Sequence, residues 1–176
     1  MWFSLSLFTT FLPTGDVGIL DWYTVGAGLL AVIALAAHGS AFLIWRTAGP
    51  VQQRARRATR VLSVVAQALW LAMFLATHAL NDVLTVLGRR PLGIMGVALA
   101  IAGIVAVHYG LTRNHELKPF LGSAAFLAGT LIATAACLFP VMLKSISNPA
   151  LSLTAYTGGG DEAGLGTALG WFAVGF

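Results

Sequence analysis

The stretch YTVGAGLLAVIALAAHGSAFLIW, residues 23–45, holds no Asp, Glu, Lys or Arg. As an α-helix it would extend roughly 35 Å at 1.5 Å per residue, enough to cross a bilayer core of about 30 Å. Asp21 bounds it on one side, and Arg46 with the breaker pair Gly49-Pro50 bounds it on the other. The same pattern returns three times, at about 61–79, 92–111 and 120–143, with Pro91 and Pro119 standing before the last two. These four runs predict an all-α integral membrane fold, a four-helix transmembrane bundle.

Composition agrees with that reading. Of 176 residues, 58% are hydrophobic and 9% charged, with a mean hydropathy of +0.86. A soluble domain carries roughly 45–50% apolar and about 25% charged residues. Ten basic and six acidic residues cannot cover a water-facing surface of this size, which excludes a soluble enzyme, a disordered tail and a nucleic-acid binder. The single cysteine, Cys137, lies inside an apolar run, so neither a disulfide framework nor a thiolate metal cluster forms within the chain.

The two ends read differently. Residues 1–22 form an apolar, extracytoplasmic segment whose opening MWFSLSLFTTFL lacks the basic start of a signal peptide. Residues 144–163 are an extracytoplasmic loop. The last 13 residues, 164–176 (GLGTALGWFAVGF), are apolar but would span only about 20 Å as a helix. They read as a truncated fifth, peripheral transmembrane helix, and the chain as a fragment. Orientation follows from the basic residues: Arg46, Arg54, Arg56, Arg57, Arg60, Arg113 and Lys118 fall in alternate loops, against Arg89, Arg90 and Lys144 in the others. The larger group belongs on the cytoplasmic side; the Arg89-Arg90 pair runs against that rule. The arginines of the first loop are also placed to meet anionic membrane lipid.

Small residues mark the helices: Gly26, Gly28, Ala31, Ala34, Ala36 and Ala37 in the first, Gly96 and Gly103 in the third, and Gly122, Ala125, Gly129, Ala133 and Ala136 in the fourth. Such residues let backbones approach closely in lipid, and packing within the bundle accounts for them. Ionisable groups inside a membrane are costly and point to function. No Asp, Glu, Lys or Arg lies deep in the four runs, which leaves the histidines. His38 and His108 fall at similar depth on different helices. Such a pair could ligate a haem iron, contact a quinone or pass a proton; alternatively each is a neutral imidazole bonded to a carbonyl or to a serine such as Ser40. His78 with Asn81-Asp82 forms a polar group at the outer end, read as a turn or cap. Trp2, Trp22, Trp45 and Trp70 include residues at predicted helix ends and read as an interfacial belt. No phosphate-cradling loop, metal-ligand spacing or nucleophile with a nearby base is present, so no catalytic, cofactor-binding or metal residue is assigned.

Two longer segments resemble a known family. Residues 20–47, LDWYTVGAGLLAVIALAAHGSAFLIWRT, followed by AGPVQQRARRATR, are similar to the second half of subunit II of the cytochrome bd-type quinol oxidases, with its Asp-Trp-Tyr-Thr opening, His-Gly element and Arg-rich loop. Residues 120–157 resemble its penultimate helix, the Phe139-Pro140 exit, the Ser145-to-Pro149 loop and the Ser152-to-Thr154 lead into the last helix. The resemblance covers nearly the whole chain and about half of the family's usual subunit. It implies a haemless supporting subunit, non-catalytic itself, in a quinol:oxygen oxidoreductase of the respiratory chain. Its partner in the heterodimer, subunit I, would carry haem d and the b-type haems and bind the quinol, while oxygen is reduced to water. The setting would be the bacterial plasma membrane. Two other classes stay open: a small membrane transporter or scaffold, and a self-contained cytochrome b ligated by His38 and His108.

Overall fold

The computed structural model describes residues 20–143, 152–157 and 162–175. Residues 1–19 of the N-terminal apolar segment, residues 144–151 with Lys144 and the Ser145-to-Pro149 loop, residues 158–161 and residue 176 lie outside the described residues. In chain order the elements are α1 (Trp22–Arg46), α2 (Gly49–Asn81), α3 (Val83–Gly88), α4 (Pro91–Thr112), α5 (Leu117–Leu138), β1 (Val141–Leu143), β2 (Leu153–Thr154) and α6 (Glu162–Gly175). Helices α1, α2, α4 and α5 are long and apolar enough to cross a membrane, and together they form an all-α membrane bundle.

Local chemistry sets the boundaries. Asp21 caps α1: its carboxylate accepts from the Thr24 amide at 2.7 Å while Thr24 Oγ1 accepts from the Asp21 amide at 3.0 Å, a reciprocal capping box. Proline stands in the first turn of both α2 and α4, where its missing N–H costs nothing. Three differences from the sequence reading follow from such details. The Arg-rich run expected as a loop is the opening of α2, because Pro50 starts the helix early and arginine is a good helix former. The second loop contains α3. The fourth span, expected to reach residue 143, ends at Leu138, because Pro140 pushes Phe139 into an extended conformation (ψ 138°); Val141–Leu143 then pairs antiparallel with Leu153–Thr154.

The bundle consists of two antiparallel hairpins. In the first, Ser40 bonds Thr59 and Tyr23 bonds Thr77, each at 2.8 Å, and Gly26 faces Met73. In the second, α4 and α5 meet backbone to backbone. A Cβ on Gly96 would lie 2.6 Å from the Ala133 nitrogen, one on Gly103 2.5 Å from the Phe126 nitrogen, and one on Gly122 2.7 Å from the Val107 nitrogen. The small-residue faces of the third and fourth helices therefore pack against each other within the chain. The hairpins join through α1 against α5 and, over fewer residues, α2 against α4. One residue from each spanning helix, Ala34, Ala66, Ala100 and Phe126, fills the centre. Ile44, Ala55, Val107 and Leu111 fill the interior towards the basic end.

The outer surface is apolar. Val32, Leu35, Val105 and Leu131, all in mid-helix, are exposed by 60–70%, as lipid-facing side chains are. Helix α6 has 14 residues and turns Leu169, Trp171 and Phe172 outward. Trp70, expected at an interface, instead packs against the central cluster beside Phe74 and Phe126.

Bonds from the Thr24 amide and hydroxyl hold the Asp21 carboxyl below its ordinary range. A depressed carboxyl stabilises its helix above the unfolded carboxylate range and loses that contribution as pH falls through the lower folded value. Amide exchange at Thr24 and Val25 is therefore expected to accelerate on acidification in the native chain and to become pH-independent, beyond intrinsic chemistry, in Asp21→Asn. Identical profiles for both proteins would disprove the cap.

Candidate functional site

Each polar side chain inside an apolar helix has to find a partner, because lipid offers none. The chain meets this with bonds that cross between helices. His38 Nδ1 lies 2.8 Å from Ser123 Oγ. Ser123 donates its one hydroxyl proton to the Phe120 carbonyl at 2.8 Å, so the His38 bond runs from Nδ1–H to the serine oxygen and leaves Nε2 as an acceptor. The partner is thus Ser123 of α5, and not Ser40, which bonds Thr59 and the Ala37 carbonyl. The His38 ring stacks on Phe120 at 4.9 Å, Phe120 stacks on Trp45 at 5.5 Å, and the Arg46 guanidinium lies 3.9 Å over the Trp45 ring. A continuous column of flat groups thus joins α1 to α5 from the basic end to His38.

His108 is held differently. Its Nε2 lies 2.8 Å from Gln67 Oε1. An amide oxygen only accepts, so Nε2 carries the proton and donates. This bond ties α4 to α2.

At the basic end the two loops are laced together. Gln52 Nε2 lies 2.9 Å from the carbonyls of Ile44 and Thr47 and 3.0 Å from Glu116 Oε1. Arg56 donates to the carbonyls of Asn114 at 3.1 Å and His115 at 3.4 Å. Lys118 Nζ lies 3.1 Å from His115 Nε2 and 4.6 Å from the centre of the Tyr109 ring. Arg54, Arg57, Arg60 and Arg113 remain exposed around this knot. At the opposite end the chain turns sharply at Asp82, whose φ is +47°. Asp82 Oδ2 accepts from Thr85 Oγ1 at 2.7 Å, and its Oδ1 stands 3.6 Å from His78 Nδ1. Asp82 is therefore both the expected cap and the neighbour of His78.

The two histidines proposed as axial ligands are each engaged with another helix, His38 through Nδ1 with Ser123 and His108 through Nε2 with Gln67. Iron ligation through His108 Nε2 would require its bond to Gln67 to break. What the interior can do is hold helices in register, with His38 Nε2 left as an acceptor at the α1–α5 face. Ser123, Gln67, Thr59 and Gln52 were not singled out by sequence. A signal existed for Gln67: it is the one amide side chain inside the run 61–79.

The chain matches the family model for cytochrome bd terminal oxidase subunit II over residues 4–176. No curated relative matches it. Its four membrane-crossing helices agree with that match, which spans all but the first three residues. The chain belongs to the cytochrome bd terminal oxidase subunit II family, and as such is an integral membrane subunit of a terminal oxidase complex.

Proposed function

We propose that this chain is the haemless supporting subunit of a quinol:oxygen oxidoreductase in the bacterial plasma membrane. A larger subunit would carry haem d and b-type haems, oxidise quinol and reduce oxygen to water with four electrons. The observation that carries the reading is that three polar pairs inside the bundle join one helix to another: His38 to Ser123, His108 to Gln67, Ser40 to Thr59. An interior so committed serves as a firm packing partner for a subunit whose haems need a dry, fixed surround. The basic end, bearing Arg54, Arg57, Arg60, Arg113 and Lys118, would face the cytoplasm.

A tagged chain isolated in mild detergent from its native membranes tests this. A larger co-purifying subunit with d- or b-type bands in the reduced-minus-oxidised spectrum is the expected result. Haem content should be unchanged in His38→Ala and His108→Ala. A Soret band that stays with this chain alone and disappears in either variant would replace the proposal with the self-contained cytochrome.

A further inference from the structure

The Arg89-Arg90 pair is unexplained by topology, since it lies at the end of the bundle with fewer basic residues. It lines an open groove of about 750 Å³ between the α3–α4 junction and the end of α5, together with Val86, Leu92, Ala135 and Phe139. Neither guanidinium has a hydrogen-bond or ion-pair partner among the described residues. The acid nearest in sequence, Asp82, accepts from Thr85 and faces His78. Arg89 is exposed and Arg90 half-buried, while Leu92 and Phe139 present 60% and 48% of their surface. Two adjacent positive charges thus stand over an apolar trough that opens onto the lipid-facing side of the bundle.

We propose that this groove binds an anionic phospholipid. The phosphodiester lies between the two guanidiniums, which match its oxygens in charge and planar geometry, and the glycerol and first acyl carbons lie over Val86, Leu92, Ala135 and Phe139. A zwitterionic headgroup would bring its own cation towards two arginines, so the site selects lipids such as phosphatidylglycerol. A free phosphate ion would satisfy the arginines and leave the apolar lining unused. The proposal requires only that the chain spans a membrane, and does not rest on the oxidase reading.

The test uses the full chain purified with the subunits it carries, reconstituted with equimolar phosphatidylglycerol and phosphatidylcholine, and washed with detergent before lipids are counted by mass spectrometry. The native protein is expected to retain phosphatidylglycerol in preference. Retention should fall about thirtyfold in Arg89→Gln/Arg90→Gln, in line with the contribution of two basic residues at a membrane surface. Ala135→Trp, which fills the trough and leaves both arginines, should lower it comparably. Equal retention of the two lipids by the native protein would overturn the proposal even if the double variant failed to assemble. So would undiminished phosphatidylglycerol in Ala135→Trp, displacement of the lipid by inorganic phosphate, or a cross-linked protein subunit seated in the groove.

Discussion

Gly103→Leu is expected to unfold the α4–α5 hairpin, lowering stability by about 3 kcal/mol or more, while Gly28→Leu leaves it close to unchanged. The difference follows from what each new side chain meets. Even the first carbon added at Gly103 would lie 2.5 Å from the Phe126 nitrogen and 2.6 Å from the Gly122 oxygen, both backbone atoms; at Gly28 nothing lies within 4 Å. A crowded side chain can be relieved by a rotamer change at a cost of about 1–3 kcal/mol. A crowded backbone yields only if the helix moves, and movement here would also separate Gly96 from Gly129. In lipid there is no hydrophobic drive to hold the helices together once close packing is lost. Denaturant titration of the purified assembly, with the yield of folded protein, measures the effect. Equal stability of the two variants would show that α4 and α5 are not in backbone contact.

His108→Leu carries the second largest expected effect, a destabilisation of about 1–2 kcal/mol, because it strands the Gln67 amide inside the membrane. Most of that loss should return in His108→Leu/Gln67→Leu, where neither polar group remains. A double-mutant cycle therefore reads the bond directly. Additive effects of the two single variants would mean that the 2.8 Å contact contributes nothing to holding α4 beside α2.

These two cases mark what the sequence could and could not convey. The four apolar runs were legible because crossing a bilayer demands about 20 apolar residues whatever their neighbours. The glycines were legible as a class; that Gly103 meets Gly122 and Gly96 meets Gly129 was not, since pairing depends on how α4 and α5 slide past each other. Charge sets topology on a sequence scale and marks the Arg-rich run as a loop, yet Ala55 and Thr59 between its arginines are buried and belong to a helix packed on α1. His38 was recognised as an internal polar residue, but its partner stands 85 positions away, beyond any local pattern. Likewise the end of α5 at Leu138 turned on one proline, while hydropathy alone carried the run to residue 143.

The two-hairpin arrangement also has a meaning for biogenesis. Helices enter the membrane in the order of synthesis, and α1 can close on α2 as soon as the latter has emerged, with Ser40 already able to find Thr59. By contrast, His38 has to wait until α5 has been made before Ser123 exists to receive its proton. During that interval an imidazole N–H sits in the bilayer unanswered, at a cost that favours any arrangement completing the bundle. Helices α4 and α5, joined by a short turn, arrive as a pair already fitted face to face, so a single docking of one preformed unit on another satisfies His38. The glycine contact thereby fixes where Ser123 stands when the second hairpin meets His38.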